Sequence, residues 1–322
     1  MDNLLAILSD GMYHSGEDLG KKLGISRAAV WKKIKKIKTL GIFLESKKGC
    51  GYRIVGGLDL LSKKQIYDNL TPTAKSLLTK LQTLTTTAST NTLARQYAEK
   101  FDASGWVILA EEQQEGRGRR GKSWVSPYGC NLYLSIVWGF SGGVKEIEGL
   151  SLAIGVSILR GLKICGAENI QLKWPNDLMY QKKKIGGILL EIVGDPSGYC
   201  QVIIGIGINV NMPENFSKSI NKPWTNANKL LNPEVGRNKL AGVLIDQLLL
   251  LLESYKKIGF LSYKNEWLAH DAFIGKRVEL IMMNNSIDGI VQGVDNSGAL
   301  ILKVNGITKT FSGGEISLRE CE

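Results

Sequence analysis

The sequence is short of the side chains that hold metals. Its 322 residues include two histidines, His14 and His270, and five scattered cysteines with no CxxC pair. That usage excludes a zinc finger and offers no disulfide framework, so a reducing cytoplasm is the expected compartment. No apolar run is long enough to span a bilayer. The first ten residues carry acids without a basic start, so no secretory signal is expected. Acid is also in deficit: 30 Asp/Glu stand against 41 Lys/Arg, a formal charge of +11. Such an excess suggests a polyanionic partner. With 43% hydrophobic and 22% charged residues the chain is otherwise ordinary for a globular protein, and its length suits two or three domains.

The positive charge is unevenly placed. Residues 1–60 hold eleven Lys/Arg against six Asp/Glu, a net of +5. An apolar helix over residues 4–8 ends near Gly11, and Ser15 with Asp18 three residues on reads as a helix cap. Gly24 stops that second helix, and Ser26 caps a third running to about residue 40. Val30, Ile34, Ile37 and Leu40 line one face of it at helical spacing. Arg27, Lys32, Lys33, Lys35, Lys36 and Lys38 fill the remainder with no acid among them. Two alternating runs, 42–46 and 52–55, then flank a turn carrying Lys47 and Lys48. Helix, cap, turn, basic helix and hairpin are the grammar of a winged helix-turn-helix. Ser26, Arg27, Lys32, Lys33, Lys36, Lys47 and Lys48 are its candidate DNA contacts, since cations there meet phosphates and base edges. A charged three-helix interaction domain has the same outline; the acid-free basic helix favours DNA.

The central region is organised around residues 116–124, GRGRRGKSW. Glycine lets backbone come close to a ligand, and guanidinium groups hold carboxylate and phosphate oxygens in pairs. The string matches GxGxxG, yet no helix pattern follows it, so a dinucleotide fingerprint is rejected. A solvated basic loop or nucleic-acid patch reads the same way in isolation. Ser89-Thr90-Asn91 opens a helix over 92–100 and offers hydroxyl, amide and free N–H groups. That set is either a plain cap or a site for a neutral, multi-donor head such as a cyclic urea. Strands are expected at 106–111, 131–138, 185–191 and 201–210, and helices at 63–69, 149–165, 238–258 and 260–270. The polar stretch 62–87 otherwise reads as a link. Lys173, Asn176 and Asp177 end a proline-broken strand, a turn or a site edge, with Asp177 a candidate magnesium ligand. Lys184, before Gly186-Gly187, can lie close to a ligand oxyanion; Lys182 and Lys183 read as solvated. Trp224 stands alone in a polar loop, as lid or surface anchor. From residue 274 short alternating runs with Asn/Gly turns predict a small β-barrel, closed by residues 313–319, with Glu315 and Arg319 available to the central domain.

Taken together, the Ser89–Asn91 triplet, GRGRRGKSW, KWPND, Lys184 with Gly186-Gly187, and GGEISLR resemble the bifunctional biotin–protein ligases that also repress biotin operons. The resemblance covers essentially the whole chain. It implies an α+β protein: a winged helix-turn-helix over 1–60, a catalytic domain with a mixed sheet like class II aminoacyl-tRNA synthetases over 61–270, and an SH3-like β domain over 271–322. It further implies that biotin attacks the α-phosphate of ATP, with Mg2+, and that a lysine of the biotin carboxyl carrier protein of acetyl-CoA carboxylase then takes the acyl group. Ser89, Thr90, Asn91, Gln113, Arg117, Gly118, Arg119 and Trp124 would surround biotin. Lys184 and Arg119 would be catalytic. Arg119, Lys173, Asn176, Asn209 and Trp224 would face the nucleotide. The retained adenylate would favour a homodimer that binds operator DNA of biotin genes, with no membrane partner. A biotin-sensing repressor without ligase activity, a lipoate-type ligase and a generic nucleic-acid-binding protein are the rival readings.

Overall fold

Serine caps and glycine stops divide the first sixty residues of the computed structural model, which describes residues 2–282, 285–313 and 317–320. Helix α1 (Asp2–Leu8) leads to α2 (Gly16–Leu23), where the Ser15 hydroxyl accepts the Asp18 N–H and Gly24 ends the helix at φ 64°. Helix α3 (Arg27–Thr39) begins at Ser26, whose hydroxyl accepts the Ala29 N–H. The turn between them is tight: a Cβ on Gly20 would lie 2.8 Å from the Ile25 carbonyl oxygen. Val30, Ile34 and Ile37 are buried with Leu4, Leu5, Leu8 and Leu19, so the basic face of α3 stays outside. Strands β1 (Leu44–Lys47) and β2 (Gly51–Ile54) pair antiparallel as the wing. Lys47 closes that ladder opposite Gly51, leaving Lys48 on the turn.

The winged helix is docked rather than tethered. Tyr128 of the central region is buried in its core, packed with Leu58 and Leu60. Arg237 and Glu111 form a buried ion pair at 2.5 Å, and Glu111 also accepts the Leu61 N–H. Asn238 donates to Asp59 and to the Leu60 carbonyl, both at 2.8 Å. A buried pair of this kind holds geometry more than it adds stability.

The helix expected at 63–69 is α4 (Lys63–Asp68). The rest of the segment expected as a link is structured as well, forming α5 (Pro72–Leu77) and β3 (Lys80–Leu84). Thr71 caps α5, with Pro72 in the first turn where its missing N–H costs nothing. β3 is an edge strand, so its polar residues hide the alternation that marks inner strands. Helix α6 (Thr90–Ala98), β4 (Trp106–Ala110), β5 (Leu132–Phe140) and α7 (Leu150–Ile164) follow. After β6 (Gln171–Lys173), the proline-broken end is a hairpin into β7 (Asp177–Tyr180), a strand that its sequence did not suggest. β8 (Lys183–Gly194) and β9 (Cys200–Ile208) complete a seven-stranded sheet ordered β3-β4-β5-β9-β8-β7-β6. Only β3 and β4 run parallel. The sheet is therefore mixed, as expected. β7 pairs with β8 only up to Gly187, and Asn176 takes the Ile188 N–H, so beyond that point the outer edge of β8 has no ladder partner among the described residues.

Helices α8 (Arg237–Ile258) and α9 (Leu261–Ala269) join α7 on one face of the sheet, and α6 covers part of the other. Strands β10 (Arg277–Ile281), β11 (Ser286–Val294), β12 (Leu300–Val304), β13 (Ile307–Phe311) and β14 (Ser317–Glu320) form an antiparallel sheet ordered β13-β12-β11-β10-β14. Val278, Leu280, Leu302 and Leu318 share one continuous core with α7 and α8. Trp174, fully buried, donates its indole N–H to the Gly298 carbonyl at 3.1 Å. The KWPND tryptophan is thus an anchor for the last domain. Glu315 lies outside the described residues. Among the described residues no helix is long and apolar enough to cross a membrane.

Candidate active site

The site is built on the α6 face of the sheet. Gly187 and Leu189 of β8 stand beside Gly207 and Gly205 of β9 in register. Close approach requires two of these glycines: a Cβ on Gly205 would collide with the Asn91 amide, and one on Gly207 with the Trp124 ring. The bare floor opens a cavity of about 590 Å³, walled by the α6 N-terminus, the 116–124 flap, the β6–β7 turn, residues 219–224 and Leu318–Arg319.

One end is neutral and rich in hydrogen bonds. Ser89, Thr90 and Asn91 are all buried at the start of α6. Gln113 accepts from the Thr90 N–H at 2.9 Å and from its hydroxyl at 3.1 Å, and donates to Ser126 at 3.1 Å. Ser135 donates its one hydroxyl proton to the Asn91 carbonyl oxygen at 2.6 Å, and its oxygen lies 2.8 Å from the Thr90 hydroxyl. The Asn91 amide in turn donates to Glu191 at 2.9 Å. Side chains held this firmly present fixed donors and acceptors to a small polar head group.

The other end is cationic. Arg117, Arg119, Arg120 and Lys122 come from the flap, and Lys173, Lys184, Lys222 and Arg319 from four other segments; among the described residues Asp177 is the one carboxylate lining the cavity. The flap is a hairpin. Trp124 N–H donates to Gly116 O at 2.8 Å and Gly118 N–H to Lys122 O at 2.7 Å, while Arg120 and Gly121 at its tip have φ of 59° and 67°. No helix follows, which agrees with rejecting a dinucleotide fingerprint. Arg119 donates to Asn176 at 3.1 Å, and burial holds its guanidinium below the ordinary value. Lys184 contacts Asp177 at 2.5 Å and lies 5.1 Å from the centre of the Trp124 ring. Burial lowers Lys173 to about 8, opposed by Asp177, and its ammonium sits 5.2 Å from the Phe273 ring centre. Burial and neighbouring Lys122 lower Lys222.

The expected site residues therefore converge, though not all with the anticipated contacts. Asn176 bonds to Arg119 and to the Ile188 carbonyl, and so buttresses the hairpin. Asn209 is buried beneath Lys184, its amide 3.5 Å from the Lys184 carbonyl. Trp224 meets Lys184 through the backbone: Lys184 N–H donates to Pro223 O and Thr225 N–H to Lys184 O, each at 3.0 Å. Arg117 turns to Glu191 at 3.0 Å. Lys222, Glu191, Ser126 and Ser135 were not evident from the sequence. Glu191 alone left a signal there, in phase with Gly187 and Leu189 along β8.

On the winged helix, Ser26, Arg27, Lys32, Lys36, Lys47 and Lys48 are exposed and Lys33 is half-buried. Among the described residues none of these cations makes an ion pair. Trp31 is exposed on the same helix, with Lys35 stacked 3.8 Å from its ring centre.

Family comparisons accord with each part. The HTH domain pattern matches residues 1–53, the Biotin/lipoate A/B protein ligase family 82–209, and the Biotin protein ligase C terminal domain 273–319. The chain is 39% identical over 319 residues to the Bifunctional ligase/repressor BirA of Escherichia coli (strain K12), covering 99% of this chain and 97% of that one. The chain belongs to the bifunctional biotin ligase/repressor family. A second member, Bifunctional ligase/repressor BirA of Bacillus subtilis (strain 168), is 30% identical over 305 residues, with 92% of each chain covered. Among solved structures, the biotin protein ligase from Aquifex aeolicus in complex with biotin and ATP superposes with a TM-score of 0.63 at 27% identity. It covers 76% of this chain and 100% of its own.

Proposed function

We infer that the protein is a biotin–protein ligase and a DNA-binding repressor, with biotin and ATP as substrates and a biotin carrier domain as acceptor. One observation carries the residue-level reading: among the described residues the cavity is divided into a neutral, hydrogen-bonded end and an end with eight cations against one carboxylate. That division suits a ligand with an uncharged ring head and an anionic tail meeting a polyphosphate. Ser89, Thr90, Asn91 and Gln113 take the ureido head. Trp124 covers the acyl chain. Lys184 lies between the biotin carboxylate and the α-phosphate, where charge develops, so it contributes more to the transition state than to binding. Arg119, held by Asn176, works on the same oxygens. Lys173 and Arg319 face the nucleotide phosphates, and Trp224 lies toward the adenine. The flap then keeps water from the mixed anhydride.

Magnesium arrives with ATP in this reading. Among the described residues no three His, Cys, Asp or Glu side chains gather, so an all-protein cage does not fit. A single carboxylate does fit an ion already carried by phosphates. Asp177 would hold it, and the ion would neutralise phosphate charge.

The acceptor we propose is the biotin carboxyl carrier protein of acetyl-CoA carboxylase. Homodimerisation through the unpaired 189–194 edge of β8 is supported by its half-exposed apolar residues, since antiparallel strand addition completes such a ladder. The domain limits proposed are 60/61 and 270/271, and the compartment the cytoplasm. Incubation with labelled biotin, ATP and an isolated carrier domain tests the reading; transfer of label is expected, and its absence with retained biotin binding would favour a sensor without ligase activity. Thermal stabilisation by lipoate instead of biotin would move the chain to the lipoate-type ligases.

A further inference from the structure

We propose that Glu191 is a positioning residue that anchors the flap to the floor of the site. It is one carboxylate joining two walls. Its Oε1 lies 3.0 Å from the Arg117 guanidinium, and its Oε2 accepts from the Asn91 amide at 2.9 Å. Arg95 of α6 approaches to 3.9 Å. The side chain is only 12% exposed, while Arg117 is 47% exposed, so the buried end of the pair is the acid. A carboxylate set into the floor fixes where an arginine from a loop must settle.

Two consequences follow from the geometry. Asn91 is locked in one amide orientation, since Ser135 donates to its oxygen and Glu191 accepts from its nitrogen. Gly205 must then stay glycine, because the amide lies directly over its Cα. Arg117, for its part, is charge-compensated, so it serves the ligand mainly by bringing the backbone of residues 116–118 down onto the floor. Glu191 thus links the head-group contacts of α6 to the position of the flap without touching the reacting atoms.

The proposal rests on the reading of the flap as the cover of an acyl-adenylate, and one experiment separates the two. The flap carries four trypsin sites. In the wild-type full chain, biotin with ATP should slow cleavage within residues 117–122; no slowing would remove the cover itself, whatever any variant does. With that protection seen, Glu191→Gln keeps the size and removes the charge. Cleavage with biotin and ATP should then be about fivefold faster than wild type, the size of a partly screened charge pair. Pyrophosphate released per biotin transferred should rise in step, as adenylate leaks to water, while the first-turnover rate of pyrophosphate formation at saturating biotin stays within about twofold. Arg117→Gln should reproduce the faster cleavage at the three remaining sites, after Arg119, Arg120 and Lys122, and there the double variant should be cleaved no faster than either single. Unchanged protection in Glu191→Gln, or losses that add in the double variant, would overturn the assignment. So would an equal fall in first-turnover rate and protection, which is the pattern of a merely structural acid.

Discussion

Replacing Lys184 by alanine tests the chemistry most directly. The ammonium contacts Asp177 at 2.5 Å and is partly shielded beside Trp124. A unit charge about 4 Å from a developing anion contributes about 4 kcal/mol at the effective dielectric of a protein surface. Loss of one preorganised electrostatic partner in an enzyme site costs about 2.7–4 kcal/mol, or about 10²–10³ in rate. The substitution has a second effect, because it removes the cation in contact with Asp177 in a cavity that must take anions. Single-turnover pyrophosphate release should therefore fall about 10²–10³-fold, and biotin affinity, measured by calorimetry without ATP, about tenfold or less. Adding Asp177→Asn to Lys184→Ala tests that second effect alone: biotin affinity, measured without ATP, should recover. Equal losses in rate and affinity would refute the reasoning and make Lys184 a ground-state or structural lysine.

Changing Lys32, Lys33 and Lys36 to glutamine should weaken DNA binding and flatten its dependence on salt, by up to about 0.9 log units for each phosphate no longer neutralised; biotin transfer should not change, and an unaltered slope would place the DNA interface elsewhere. Lys173, lowered to about 8 by burial, loses its charge as pH rises through that value. The kcat/KM for ATP should accordingly fall above about pH 8, and Lys173→Arg should remove that inflection. Trp174→Phe deletes the bond to Gly298 and part of a fully buried ring, so the urea midpoint should drop by the equivalent of about 2 kcal/mol. Ile192→Lys places a charge on the open edge of β8 and should abolish ligand-dependent dimerisation in sedimentation, with pyrophosphate formation retained.

What could be read in the chain was whatever depends on near neighbours. Ser15 and Ser26 cap their helices as their positions imply, because a cap bonds to an N–H three residues on. The acid-free helix α3 and the short motif strings are local in the same sense. Reading failed where a residue's meaning comes from a distant partner. β3 looks like a linker because an edge strand needs few apolar residues, and only β4 beside it makes it a strand. Trp174 looks like part of a ligand motif, yet its partner is Gly298, 124 residues away.

The same division runs through the site. The order of residues was enough to settle which functional groups were available: the hydroxyl–amide triplet at the start of a helix, the cationic flap, the lysine before a glycine pair, and the basic helix near the N-terminus. Covalent order places such groups on their elements. What each one faces was chosen only by packing in three dimensions. Packing set Glu191 beneath Arg117, Asp177 against Lys184, the 223–225 backbone along Lys184, and Arg319 at the cavity wall. Charge pairing acts over a few ångströms in space and is indifferent to separation along the chain, so these partnerships exist only once the sheet, the flap and the last domain have been packed together.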